Sequence, residues 1–444
     1  MNPQTAEKSP VRPQQDPGAD PAAAGLSAMA RRMRASSILT IAGDVRELKD
    51  RGVEVADLTV GDFSPAEFPM PARLAELLHQ ALRDGEVNYP PAAGVKELRQ
   101  AVREHLLRTQ QLDYPIESIA IVGGARPALY SAYRLLTDPG DTVLYPVPSW
   151  NNQNYRDICE LNARSVLCRP EDAFQPTAAL LAPHVRDAKL LVLNTPQNPS
   201  GGVMPRAEMQ RFGELLVEEN ARRQRTGGKP FYLILDQIYR ALVFPGSEHF
   251  SPVQLVPECR PYVVHVDGIS KFCAATGLRV GWLAAPPAIA SKAVALLTHL
   301  GAWAPRPAQV ASAKFLREID TVAAWEAEMV ERVRERLQVL HECVQELRDA
   351  GLPVSAVPPQ GAIYMAVRFD LAGRVTPAGE VLRSNEDIRS YLLQNAAFAL
   401  VPFSAFGVAA EHENGWFRAS VGAIGTDALR AAVPRVASAI RALS

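Results

Sequence analysis

Apolar and polar positions follow two rhythms along this chain, and each change of rhythm marks an element. Between residues 37 and 51 the apolar positions recur at helical spacing, and Gly52 follows as a stop. Residues 55–60 turn extended and run into Gly61. Short apolar runs of strand length then occur at 119–122, 142–145, 190–194, 232–236, 262–266 and 280–284. Helical stretches such as 126–136 and 206–222 separate them. This alternation predicts an α/β fold with a mostly parallel sheet wrapped by helices, and in such sheets ligands bind beyond the carboxyl ends of the strands.

From Pro307 a helical pattern runs to about Asp349, and a mixed α+β segment continues to Ser444. The expected organisation is a large domain over residues 66–319 and a smaller α+β domain built from 26–65 and 320–444. Residues 1–25, rich in Pro, Ala and Gln, read as a disordered extension. The polar run 220–229 reads as a surface loop or an extended helix end. No internal repeat is found.

A length of 444 residues fits two domains better than one core. The 47 basic and 48 acidic residues nearly cancel, which removes any case for nucleic acid or an anionic membrane as the main partner. No apolar run approaches the length of a membrane span, and no secretory signal precedes the fold. Five scattered cysteines, never in a CxxC pair, argue against a disulfide framework or a zinc site and fit a reducing cytoplasm.

Several polar residues follow strand ends. Lys271 does so in VDGISKFCAATGLRVGW, with Arg279 eight residues on. As a loop lysine it would mean nothing. Desolvated beside another cation, it becomes a nucleophile toward an aldehyde, and Arg279 offers a fork for phosphate. Asp236 ends an apolar strand, where a carboxylate needs a partner such as a protonated pyridine nitrogen, although a plain helix N-cap is the commoner fate. Tyr239 follows three residues later. Asn198 stands in the turn NTPQNPSGG, whose residues equally suit turn chemistry alone. Gly124, Ala125 and Arg126 connect a strand to a helix, a geometry that offers backbone N–H groups to phosphate but occurs in many folds. There is no GxGxxG fingerprint and no Walker lysine. Trp150, after a Pro-rich strand end, is either core or a stacking surface. Arg418, flanked by apolar residues, reads as a fixed fork for a carboxylate or as a half-exposed strand arginine.

In this order and spacing the segments resemble the class I/II aminotransferases of fold type I, from about residue 30 to the end. NTPQNPSG resembles the family's NPxNPTG, DQIY its DExY, and SKFCAATGLRVG its SKxxxxxGxRxG, the most specific of the three. NYPPAAGVKELRQAV resembles YxxxxGxxxLRxAI. The resemblance implies pyridoxal phosphate lying on Trp150, anchored by Asp236, Tyr239 and Asn198. Its phosphate is expected at Gly124, Ala125 and Arg126, with Ser270, Arg279 and, from the neighbouring subunit of a homodimer, Tyr89. Lys271 is expected to carry the cofactor as a Schiff base and to move the proton from Cα to C4′. Gly61 and Arg418 are expected at the substrate carboxylate. The implied reaction passes an amino group between an L-amino acid and a 2-oxo acid in two half-reactions.

The chain departs from the pattern at Gly268, where the family often has a phosphate-binding serine, at Gln237 in place of glutamate, and at Gln153. About ten extra residues lie near 220–229. Arg126 matches a lysine that reads a distal carboxylate in aspartate- and prephenate-type members, which favours aspartate or glutamate. Trp303, near the substrate, could instead select aromatic side chains. A carbon–sulfur lyase or aminocyclopropane-carboxylate synthase on the same fold remains the main alternative. A nicotinamide dehydrogenase or a non-catalytic sensor fits less well.

Overall fold

Strands that are apolar on both faces are the chain's strongest structural signal, because only a sheet covered on both sides buries them completely. The computed structural model describes residues 25–33 and 37–444, so the expected extension lies outside the described residues, Gly25 apart. A short helix, Ala28–Arg32, is capped by Ser27, whose Oγ accepts from Ala30 N.

In chain order the first strands are Ala56–Asp57 (β1), Ile119–Val122 (β2), Thr142–Val147 (β3), Asn162–Leu167 (β4), Leu190–Asn194 (β5), Tyr232–Asp236 (β6), Val263–Gly268 (β7) and Gly281–Ala284 (β8). Seven of them form one sheet in the order β2-β8-β7-β6-β5-β3-β4. Strands β4, β3, β5, β6 and β7 run parallel, and β8 runs antiparallel to both β7 and β2. The mostly parallel sheet expected from the strand–helix rhythm is therefore present, with β8 as its one reversed member.

Successive side chains point to opposite faces. Leu191, Leu193, Leu233, Leu235 and Val263 enter one core, which the helices Lys96–Gln110, Arg206–Thr226 and Arg306–Arg317 cover. Leu190, Val192, Ile234, Val264 and Val266 enter the other, under Ala125–Leu136 and Pro287–Leu300.

A third core gathers around Val354–Ala356 (β9), Tyr364–Phe369 (β10), Phe398–Ala399 (β11), Val401–Pro402 (β12) and Trp416–Ser420 (β13). Four of these form an antiparallel sheet, β12-β13-β10-β9, while β11 pairs in parallel with β1. Helices Ile319–Asp349 and Thr426–Arg441 pack there, together with Leu58, Phe63 and Phe68 from the early chain. Helix Ile319–Asp349 makes two further contacts. Trp325 Nε1 donates to Phe272 O at 2.6 Å, and Arg332 and Arg336 hold the backbone and carboxylate of Glu67.

Four elements differ from expectation. Only Ala56–Asp57 of residues 55–60 pairs as strand. The helical region after Pro307 breaks at Glu318, whose ψ of 70° leaves the helical range. Strand β4 went unrecognised because it is exposed and polar, with Val166 its only buried residue. In the polar run 220–229 the expected helix end is present as far as Thr226, and residues 224–229 are exposed, but two of its polar side chains are not solvated. Asn220 and Arg223 are buried. Asn220 accepts from Phe231 N and donates to Phe231 O, while Arg223 donates to the carbonyls of Val185, Ala188 and Lys229 and pairs with buried Glu219. These bonds satisfy backbone groups just before β5 and β6 that would otherwise be stranded.

Candidate active site

Register sets the level of the site. Asn194 pairs with Asp236, and Asp236 with Val266, so β5, β6 and β7 end side by side. A cavity of about 560 Å³ opens beyond these ends. Of the expected residues, Gly61, Ala125, Arg126, Trp150, Asn198, Asp236, Tyr239, Ser270, Lys271, Arg279 and Arg418 all border it.

Lys271 follows β7 after Ile269 and Ser270, and its amine donates to Gly61 O at 2.7 Å. Desolvation pushes it down to about 8, against the pull of Asp62; Arg418, Arg126 and Arg279 lower it further. A lysine in that range is partly neutral near pH 7, as a nucleophile or base must be. Asp236 is buried, with only Ile238 N as donor to its carboxylate. Burial pushes it up to about 7; Ile238 N–H and Lys271 oppose the rise, and Asp267 adds to it. A cation placed opposite Asp236 would draw it back down. Tyr239 is buried, and its hydroxyl meets that of Tyr364 at 2.6 Å. Burial and the neighbouring Tyr364 raise it well above the usual phenol range, so it stays protonated.

Across the cavity, Gly124 (φ 96°) opens helix Ala125–Leu136 without a side-chain cap. The first-turn N–H groups of such a helix have no intrahelical partner and carry its positive end. Arg279 donates to Gly123 O and to Thr276 O, at 3.0 and 2.7 Å. It holds φ 55°, a conformation that costs energy outside glycine and persists only when the surroundings fix it. Gly268 pairs with Gly281 across β7 and β8, and a Cβ on Gly268 would lie 2.7 Å from Val280 O. The missing serine hydroxyl thus has a packing reason. A Cβ on Gly281 would in turn lie 2.6 Å from the carbonyl carbon of Gly124.

Arg418 stands on β13, fully buried, and no carboxylate pairs with it among the described residues. Its guanidinium lies between the rings of Tyr364 and Phe406 and donates to Thr59 O (2.6 Å) and Asn198 Oδ1 (3.2 Å). Its Nε has no partner, and burial lowers its affinity for its proton. A Cβ on Gly61 would lie 3.2 to 3.3 Å from Tyr364 Oη and Arg418 Nη1, which keeps that wall thin. Arg126 is exposed, its guanidinium 5.3 Å above the Trp150 ring.

Tyr89 is not brought to the cavity. It lies elsewhere, 82% exposed, with its ring against Trp303 at 5.3 Å. Gln237 is buried beneath the site against His249, and Gln153 donates to Ala405 O; neither borders the cavity.

Sequence reasoning missed Tyr364, Asp62 and Thr276. Tyr364 sits in a strand where a tyrosine is ordinary, so no local signal marks it. Asp62 follows Gly61 directly and accepts from Thr276 Oγ1 at 3.0 Å, a pairing between positions 214 residues apart that spacing cannot disclose.

The model of the family "Aminotransferase class I and II" matches residues 53–436. The aspartate aminotransferase of Rhizobium meliloti is 28% identical over 92% of this chain and 94% of its own length. The aspartate/prephenate aminotransferase of Thermus thermophilus is 31% identical over 86% of this chain and 92% of its own. The crystal structure of the Rhizobium meliloti aspartate aminotransferase superposes with a TM-score of 0.84 at 27% identity, covering 94% of this chain and 99% of that one. An aromatic aminotransferase from Pyrococcus horikoshii gives 0.77 at 25% identity, covering 90% and 98%.

Proposed function

This chain belongs to the class I and II aminotransferase family, and we propose that it transfers the amino group of an acidic L-amino acid to a 2-oxo acid, with the cavity residues in the roles below. It is a pyridoxal-phosphate enzyme by that membership. The residues present fit the group. A buried carboxylate with no ion-pair partner, a capless helix end with Arg279 beside it, and a lysine border one cavity. When bound, pyridoxal phosphate supplies an aldehyde that condenses with amines and a pyridinium that withdraws electrons from Cα.

Asp236 is the partner for the ring nitrogen. Asn198 and Tyr239 take the ring hydroxyl; Asn198 Oδ1 is engaged by Arg418, which leaves its amide nitrogen for that bond. Helix Ala125–Leu136, Ser270 and Arg279 hold the phosphate. Trp150 covers the ring. The observation that carries the reading is the buried, carboxylate-free Arg418 in the cavity that holds Lys271. Arg418 fixes the substrate α-carboxylate, so that Lys271 Nζ faces the Cα proton and removes it as general base. Tyr364 supports Tyr239 and the Arg418 guanidinium.

For the side chain we propose Arg126 as the reader of a distal carboxylate, since it is the exposed cation of the cavity wall. Arg126→Ala should lower kcat/KM for aspartate by roughly 10- to 100-fold and leave phenylalanine nearly unchanged. An equal fall for both substrates would refute this role. We also propose that two copies assemble so that Tyr89 of one meets the phosphate of the other, that residues 26–65 and 320–444 act as the smaller domain, and that the enzyme works in the cytoplasm. All five cysteines are free and buried, and no helix among the described residues is long and apolar enough to cross a membrane.

A further inference from the structure

Beneath the cavity, out of reach of any ligand, a buried ion pair joins the two segments that carry the reactive groups. Asp267 follows Val266, the register partner of Asp236. Its Oδ1 accepts from Gly268 N at 2.7 Å and its Oδ2 from Arg240 Nε at 3.3 Å. Arg240 comes four residues after Asp236 and one after Tyr239, and its backbone N–H closes the turn onto Gln237 O at 2.8 Å. The two side chains are 9% and 4% exposed, and neither borders the cavity. One pair thus spans the Asp236–Tyr239 turn and the Gly268–Lys271 segment.

We propose that Arg240 and Asp267 are positioning residues, a brace that fixes Asp236 relative to Lys271 and shields Asp236 from the second buried carboxylate. The proposal rests on the reading that Asp236 faces the cofactor's ring nitrogen.

The surroundings leave the shielding to Arg240. Asp267 disfavours ionisation of Asp236, and only Ile238 N–H and Lys271 oppose it directly. From helix Lys96–Gln110, His105 Nε2 takes Arg240 Nη2 at 2.7 Å, and Arg108 lies on the other ring nitrogen. Burial holds His105 neutral, as it does His249 and His265, so none of the three adds a charge. Gln237 is uncharged. From helix Ile319–Asp349, Glu326 approaches Arg240 and Arg108, and burial raises it. Asp236 and Asp267 leave the sheet on opposite faces, and burial already holds Asp267 up at about 6 against Arg240, so removing the Arg240 charge leaves two neighbouring buried carboxylates that take up a proton between them more readily.

The test is equilibrium binding of pyridoxal phosphate to the full chain stripped of cofactor, followed by absorbance across the pH range in which Asp236 titrates. Arg240→Gln should move the acid limb of binding upward by about one pH unit, which weakens binding near neutrality by about tenfold. Arg240→Gln with Asp267→Asn removes both charges and should return to within about threefold of the parent. Asp267→Asn alone keeps an acceptor for Gly268 N and should move the limb downward, so the idea stays testable if Arg240→Gln does not fold. A parent-like profile for a folded Arg240→Gln, or an unmoved limb for Asp267→Asn, overturns the brace while Asp236→Asn still weakens binding. Parent-like binding by Asp236→Asn overturns the brace and the reading beneath it together.

Discussion

At the scale of the residue, Asp236 is a liability to the fold that its proposed contact with the cofactor offsets. Burial raises it to about 7 from an ordinary carboxylate value near 4. A carboxyl with a raised folded value stabilises the fold fully when protonated, and that contribution is lost as pH rises through about 7. The cofactor-free chain therefore loses on the order of 2–4 kcal/mol at this one group between mildly acidic and alkaline pH. A cation opposite the carboxylate restores it. Cofactor-free Asp236→Asn should thus melt above the parent at alkaline pH, the gap should close on acidification, and saturating cofactor should reverse the order. Calorimetry at several pH values checks this, and a gap that ignores pH would contradict it. Asp236 and Arg418 stood out in the sequence because a charge at the end of, or inside, an apolar strand is costly without a partner, whereas Lys271, past the end of its strand, stood out through Arg279 and the resemblance of SKFCAATGLRVG. Tyr364 did not, since nothing about a strand tyrosine is costly.

At the scale of the element, glycines shape the proposed phosphate cup. Gly268 and Gly281 let β7 and β8 close up, and Gly281 lets the β8 backbone touch Gly124 at the head of its helix. The cup therefore stands on backbone contacts, with Arg279 added. Gly281→Ala puts a carbon 2.6 Å from backbone that has no rotamer to give. It should cost about 1–3 kcal/mol of stability and weaken cofactor binding in the same variant. Gly43→Ala, in a helix where the new carbon meets nothing within 4 Å, is the control and should be neutral or slightly stabilising. Thermal melts and cofactor titrations of both variants decide the matter. The apolar strands could be placed from pattern alone because burial on both faces leaves an unbroken run. The direction of β8 could not, since pairing sense leaves no mark on periodicity. Asn220 and Arg223 misled for a related reason: a polar run reads as solvated, and only the folded chain brings the carbonyls that these side chains satisfy.

At the scale of the whole molecule, an exposed tyrosine ring set edge-on against Trp303, away from its own cavity, fits a site completed by a second copy. Sedimentation should give twice 48.3 kDa at working concentrations. A single-chain mass would withdraw the role given to Tyr89. The helix Ile319–Asp349 bears on a different matter. Within 11 residues, about 16 Å of its length, it grips Phe272 beside the lysine through Trp325 and Glu67, five residues after Asp62, through Arg336. A helix does not stretch over three turns. It acts as a fixed caliper between the chain just after Lys271 and the chain just after Asp62, so any change in the spacing of those two segments must come from tilting the whole rod or releasing one jaw.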